Sequence, residues 1–337
     1  MSTPAPKRPP NSTEVARLAG VSRATVSYVF NGRRDGATVP AATRERILAV
    51  AGSVGYRPNR TARALKTGRT NTVALWSASF ATPHYASVLG HVQSLAQADG
   101  YEVVVVSGGN ADALDSAYLP ADGAIVIDKR IAPTERDHVT VPVVSMGAYF
   151  DRSVDHVGID LYAGTVAALA HLESSGKRRI AYAAWGYSAP VSIAEKEDGR
   201  IQAYRDMLLR RGDTPHWLAV RGSGRRGAYD STRALYDSPP PSGGLPDAFL
   251  CLDDVLAVGI LAFLRDAGVR VPEQVAVIGC DGIEEGAFQY PPLTTLAQPV
   301  ANASRLAWQF LRRRLAEPDT PLQSAILTPE LVVRGSA

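Results

Sequence analysis

Three aspartates stand where apolar runs give out: Asp253 and Asp254 after AFLCL, and Asp281 after VAVIGC. Strand ends are where α/β sheets hold ligands, and paired carboxylates do acid–base work in glycoside hydrolases. An isolated aspartate at such a place is equally a loop residue or a helix N-cap. A second candidate is Gly222–Gly227, GSGRRG, which fits G-x-G-x-x-G between the apolar HWLAV and the helical AYDSTRALY. In that context the glycines would bring a tight turn against a dinucleotide pyrophosphate. Arg225 and Arg226 crowd the close-approach positions, however, and Asp247 is the only acid at about the spacing a ribose contact requires. A flexible strand-to-helix loop is therefore expected. There is no Walker-type lysine loop, no His-rich metal cluster and no G-x-S-x-G elbow. Cys251 and Cys280 sit in apolar runs and read as buried free thiols in a reducing compartment. The expectation is a non-enzyme without cofactor or metal.

The elements that would position these residues alternate. From Thr72 onward the β-rich runs TVALW, YEVVVVS, GAIVID, VPVVSM, RRIAYAA, HWLAV, AFLCL and VAVIGC are separated by helical patterns such as His91–Ala98 and Ala163–Leu172. Such alternation makes βαβ units around parallel sheets. These strands exceed one small sheet, so two α/β subdomains are expected.

A chain of 337 residues, 45% hydrophobic and 20% charged, is globular and long enough for two or three units. No apolar run approaches the roughly 18–20 residues of a membrane span, and MSTPAPKRPPNS lacks the apolar core of a signal peptide. A cytoplasmic protein with no membrane partner is expected, its residues 1–10 a disordered basic arm. Charge is divided unevenly. Residues 1–70 hold thirteen Lys and Arg against three Asp and Glu, and the remainder holds twenty-three against thirty. A basic head on an acidic body suits a head that meets a polyanion.

In that head, Asn11-Ser-Thr-Glu14 opens a helix in capping-box fashion, with Val15, Leu18 and Ala19 on one face and Gly20 ending it. Ser22 caps a second helix, in which Val26, Val29 and Phe30 face inward while Arg23, Ala24, Ser27 and Tyr28 lie elsewhere on the wheel. A third helix starts near Pro40 and runs to Gly55. Two short helices joined by a tight glycine turn form a helix-turn-helix, whose second helix reads the major groove. Beyond Tyr56-Arg57-Pro58, NRTARALKTGRT holds a segment too short and polar to be a stable helix alone. Either it is an interdomain linker, or it folds on DNA and wedges Leu65 between base steps from the minor groove.

EVARLAGVSRATVSYVFNG and TRERILAVAGSVGYRPNRTARALKTGRTNTVAL closely resemble the N-terminal signature of the LacI/GalR family of bacterial transcriptional regulators. The resemblance continues through ADGAIVI, VGID, SSGKRRIAY, VPEQVAVIGCDG and YPPLTTLAQP. It implies an all-α helix-turn-helix domain over residues 11–57, a hinge helix over 58–70, and a two-lobed, periplasmic-binding-protein-like α/β domain over 71–337. The chain would cross between lobes near residues 173, 298 and 325. Arg23, Ala24 and Tyr28 take positions that read bases, and Ser22, Thr25 and Asn31 positions that hold the DNA backbone. Arg33 and Arg34, in a loop longer than usual, would add backbone contacts. Asn59, Thr61, Ala62, Leu65 and Lys66 fall on the hinge and its minor-groove contacts. Tyr85, Asp160, Arg200, Asp253 and Asp281 match cleft positions that bind an effector, with Asp253 standing where an Asn is common. Several carboxylates and one arginine suit a neutral, hydroxyl-rich ligand such as a carbohydrate. The implied protein is a repressor, a homodimer on a pseudo-palindromic double-stranded operator. A sugar receptor without a DNA role and a nucleotide-dependent enzyme are the rivals.

Overall fold

The computed structural model describes residues 10–31, 39–57, 64, 67–77, 79–108, 120–129, 131, 139–186, 198–239 and 244–337. The chain separates into two units, Met1–Thr70 and Asn71–Ala337.

In the first unit, Asn11 caps α1 (Ser12–Ala19), its Oδ1 accepting from the amides of Thr13 and Glu14 at 3.0 Å each. Gly20 then turns the chain at φ 63°, a left-handed conformation that glycine adopts without steric cost. Ser22 Oγ accepts from the Thr25 amide at 3.0 Å and opens α2 (Arg23–Asn31). Pro40 precedes α3 (Ala41–Val54), which Gly55 closes. Val15, Ala16, Ala19, Val26, Val29, Ile47 and Ala51 form a small core, and Phe30 meets Tyr56 edge to face at 5.5 Å. The expectation for Leu18 is corrected: it is 45% exposed, and Ala16 is buried instead. With α2 and α3 both covering α1, the buried stripe centres between residues 15, 16 and 19, which puts Leu18 about 100° off it.

The second unit has two six-stranded sheets. The first has the order β11-β5-β4-β3-β1-β2, all parallel, from β1 (Thr72–Ser77), β2 (Glu102–Ser107), β3 (Gly123–Ile127), β4 (Val143–Gly147), β5 (Asp155–Ile159) and β11 (Ser324–Leu327). The second has the order β12-β10-β9-β8-β6-β7, from β6 (Ile180–Trp185), β7 (His216–Val220), β8 (Ala248–Cys251), β9 (Ala276–Asp281), β10 (Thr294–Ala297) and β12 (Glu330–Val332). There β12 runs antiparallel to β10. All eight expected runs are strands. Strands β5, β10, β11 and β12 were not expected; at three to five residues they are too short to show a period.

Helices α4 (Pro83–Ala98) and α10 (Val300–Ala316) pack together, and α10 also lies on β3, β4 and β5. Helices α5 (Leu161–Ser174), α6 (Gly199–Arg211), α7 (Gly224–Asp237), α8 (Asp254–Asp266) and α9 (Glu284–Ala287) belong to the other lobe. The first crossing therefore lies at Asp160, not near residue 173, because α5 already packs on α6. The second lies between Ala297 and Val300, as expected, and the third between Leu327 and Glu330.

GSGRRG is also corrected. Gly222 and Ser223 connect β7 to α7, but Gly224–Gly227 form the first turn of α7 rather than a loop. A Cβ on Gly227 would sit 2.6 Å from the Arg221 carbonyl, and one on Gly259 would sit 2.3 Å from that of Arg225. These glycines let α7 approach β7 and α8 closely. Strand β7 is moreover the sheet edge, away from the point between β6 and β8 where the strand order reverses.

Asp155, 3% exposed, joins β5 to the chain leading into β11. It accepts from Arg314 Nε (2.9 Å) and Nη2 (2.8 Å) and from the Gln323 amide (2.8 Å). Burial works to raise this carboxyl, but these donors hold it below its usual range. Arg314→Ala leaves a buried charge without its partner, and removal of one partner from such a pair costs about 3–5 kcal/mol. Urea unfolding should read a loss of that size; a change under about 1 kcal/mol would remove the pair from the lobe's stability.

Candidate functional site

Each sheet reverses its strand order once, between β1 and β3 in one lobe and between β6 and β8 in the other. Open α/β sheets bind ligands in the crevice at the carboxyl ends flanking such a point. In the first lobe, Tyr85 at the start of α4 donates its hydroxyl to Asp128 Oδ2 at 3.0 Å, across the reversal. Asp128 itself follows β3 in a left-handed conformation, and its Oδ1 takes the amides of Ala148 (2.6 Å) and Tyr149 (3.3 Å). The second lobe repeats the device. Trp185 Nε1, at the end of β6, donates to Asp253 Oδ2 at 2.9 Å, while Asp253 Oδ1 caps α8 through the Leu256 amide at 2.8 Å. Burial raises the Asp253 carboxyl. An aromatic donor thus meets a carboxylate at both reversals.

Arg200 lies between them, 8% exposed. Its Nε and Nη2 grip Asp198 as a fork at 3.1 and 2.9 Å, and its Nη1 donates to the Leu252 carbonyl at 2.6 Å. Tyr149, from the other lobe, donates to Asp198 and lies 3.4 Å from Arg200 Nη2. Burial opposes charge on both partners, but mutual attraction prevails: Asp198 is held below, and Arg200 above, its ordinary range. The arginine expected to clamp a ligand thus has its charge balanced by the chain.

Asp281 ends β9 at φ 141° and accepts from Gln298 Nε2 at 2.9 Å through Oδ1. Burial first, then Asp254 and Asp253, raises its carboxyl well above the usual range. His84 of the first lobe faces it, Nδ1 to Oδ1, at 3.7 Å. Asp254 is differently placed: its oxygens take Thr295 Oγ1 (2.7 Å) and the amides of Gly282 (2.8 Å) and Ile283 (2.9 Å). It organises the loop that carries Asp281. Asp160 sits at the first crossing and caps α5 through the Ala163 amide at 3.0 Å; its carboxylate makes no bond to the Arg200 cluster.

The structure therefore brings Tyr85, Arg200, Asp253 and Asp281 to one crevice, with Asp160 at its hinge. Sequence reasoning missed His84, Asp128, Tyr149, Trp185, Asp198 and Gln298. Asp128 ends the recognised run GAIVID, and Asp198 stands two residues before Arg200, so those two carried a signal. The others meet across lobes or strands and share no spacing.

In the head, Arg23, Ala24 and Tyr28 are exposed on α2, opposite buried Val26 and Val29. Ser22 Oγ and Thr25 Oγ1 are 2.9 Å apart at its start. Asn31 is the last residue of α2. Arg33, Arg34, Asn59, Thr61, Ala62, Leu65 and Lys66 lie outside the described residues. Arg46 Nε donates to the Ala19 carbonyl at 3.0 Å, tying α3 to the end of α1.

The family of bacterial regulatory proteins, lacI family, matches residues 13–59, and that of periplasmic binding protein-like domains matches residues 169–337. The ribose operon repressor of Escherichia coli (strain K12) is 31% identical over 96% of this chain and 98% of its own. This chain belongs to the LacI family. Among other LacI-family relatives, the transcriptional repressor PurR of Vibrio vulnificus is 27% identical over 96% of this chain and 97% of its own. The solved transcriptional regulator CelR–cellobiose complex is 29% identical, covers 97% of this chain and 100% of its own, and superposes with a TM-score of 0.65.

The buried Asp254 gives the cleft a pH signature. Burial raises its carboxyl to about 6. The folded chain thus keeps this proton to higher pH than the unfolded chain, so the stabilisation is complete below about pH 4 and lost as pH rises through about 6. Relative to Asp254→Asn, the wild type should gain about 2 kcal/mol in unfolding free energy between about pH 6 and pH 4. Parallel denaturation curves for the two proteins across that window would contradict it.

Proposed function

We propose that this LacI-family chain is a sequence-specific DNA-binding transcriptional regulator, acting as a repressor whose operator affinity is set by a small molecule in the interlobe cleft. Residues 11–57 read the operator, 58–70 form the hinge, and 71–337 bind effector and dimerise. The observation that carries the reading is the outward face of α2. Arg23, Ala24 and Tyr28 project from a helix that Ser22 caps and Val26 and Val29 anchor. In the major groove Arg23 would bind guanine bidentately and Ala24 would meet a thymine methyl. Tyr28 would take a third base position. Ser22, Thr25, Asn31, Arg33 and Arg34 would hold phosphates, and the hinge residues Asn59, Thr61, Ala62, Leu65 and Lys66 the minor groove.

The cleft supports the second half of the reading. Asp281 presents an open oxygen, and Asp128, Asp198 and Asp253 add carboxylates around a single arginine already paired. Carboxylates accept from hydroxyls, so a neutral, hydroxyl-rich carbohydrate suits Tyr85, Asp160, Arg200, Asp253 and Asp281 better than an anion. The ribose operon repressor and the cellobiose complex among the relatives agree with that class. Effector binding would shift the population of lobe arrangements and, through the dimer, the docking of both hinges. The reading places the protein in the cytoplasm as a homodimer on a pseudo-palindromic site.

Gel-shift titration on fragments of the gene's own upstream region, at two salt concentrations and with and without sugars, tests the whole reading. Salt-dependent binding is expected, and its absence on every fragment would overturn it. Arg23→Ala should relax preference at one base pair per half-site, a loss of about 1–3 kcal/mol in discrimination. An unchanged sequence logo from binding-site selection would refute that role. Leu65→Ala should weaken operator binding far more than non-specific binding; equal losses would return residues 58–70 to a plain linker.

A further inference from the structure

His84 and Asp281 stand apart from the other polar groups of the cleft. His84 follows Pro83 at the start of α4, is 7% exposed, and packs edge to face with Tyr85 at 5.2 Å. Among the described residues neither of its ring nitrogens makes a hydrogen bond, and its one partner within ion-pair distance is Asp281, at 3.7 Å. That separation is beyond a hydrogen bond. Asp281 Oδ1, the oxygen that His84 faces, accepts from Gln298, and among the described residues Oδ2 has no donor. Its side chain is 9% exposed. A small approach of the lobes would bring the imidazole and the carboxylate within hydrogen-bond range.

The two residues belong to different lobes, so their separation measures lobe closure. Their surroundings are acidic. Asp253 and Asp254 face Asp281 from the start of α8, with Cys280 and Tyr85 nearby, while Asp128 faces His84 from the end of β3. Among the described residues the one cation facing both is Arg200, whose charge Asp198 already balances. Closure therefore takes the couple out of water in an environment with an excess of carboxylates.

We propose that His84 and Asp281 form a proton-sharing latch between the lobes, so that acidification favours the closed cleft in the absence of effector. Open and solvated, an imidazole titrates near 6.5 and an aspartate near 4, so the couple holds no proton at pH 7. In the structure, burial holds the imidazole below and the carboxyl above its ordinary range. The couple then keeps one proton, which belongs to the pair rather than to either residue. Closure takes up that proton, and linkage makes it more favourable as pH falls toward 6.5. On closer approach the imidazole donates and the carboxylate accepts, an interlobe contact beside that of Tyr149 with Asp198. The latch adds regulation to the cleft of the proposed function and depends on that reading only for its consequence at DNA.

The test uses the full chain alone. Trp185 lies in the cleft on Asp253, so its accessibility to acrylamide reports closure, with a Trp185→Phe chain subtracting the other tryptophans. Between about pH 6 and about pH 8.5, at constant ionic strength, the wild-type quenching constant should rise with pH. The closing equilibrium should change by up to about tenfold per pH unit, the limit for one proton. His84→Phe and His84→Gln should each abolish the dependence, and either suffices if the other fails to fold. A flat wild-type profile, or a pH response that survives removal of the imidazole, overturns the latch. Because no DNA or effector is present, such a result leaves the regulator reading standing, and a failed gel shift would leave the latch standing.

Discussion

The cleft depends on one buried charge. Arg200 is held in place by Asp198, the Leu252 carbonyl and Tyr149, and so fixes the start of α6 against the end of β8 and against the other lobe. A guanidinium removed from water needs partners on every side. Meeting that need puts Asp198 on a helix N-cap and Tyr149 across the crevice, and leaves Asp281 as the carboxylate with an open oxygen. The chemistry offered to a ligand is what remains after Arg200 has been satisfied. That remainder is acceptor-rich and short of cations.

Much of this was legible in the sequence, and what was not has a physical reason. The β-rich runs announced themselves because parallel strands buried on both faces are continuously apolar. Strand β5 begins with Asp155 and His156, buried by Arg314 and Phe150 respectively, and its polar residues hide its nature. Strands β11 and β12 owe their pairing to partners more than a hundred or about thirty-five residues away, which no local period reveals. The same limit applies to the site. Asp253 and Asp281 showed as strand-end carboxylates, and Tyr85 and Arg200 through family resemblance, whereas His84, Tyr149 and Gln298 gain meaning only when the lobes bring them to the crevice.

In the head the sequence reading went further, because helix caps are local. Asn11, Gly20, Ser22 and Gly55 each stop or start a helix through bonds to residues within a few positions. The one misplacement, Leu18, came from treating α1 as though one neighbour covered it. Two helices cover it, and the buried stripe turns toward Ala16. The exposed face of α2 follows as the complement of a core too small to use it.

The three lobe crossings bear on the order in which the chain is made. Strand β5 lies between β4 and β11 (Ser324–Leu327), and β11 follows β6 to β10 in the chain. During translation β5 emerges well before β11, so one of its sides keeps unpaired backbone groups while β6 to β10 are made. An open strand edge is a template for pairing with another chain, and domains otherwise fold as they emerge. For this topology the second lobe can assemble β6 to β10 while the first still waits for its last strand. Residues Ser324–Leu327 thus close the sheet that Thr72–Ser77 began.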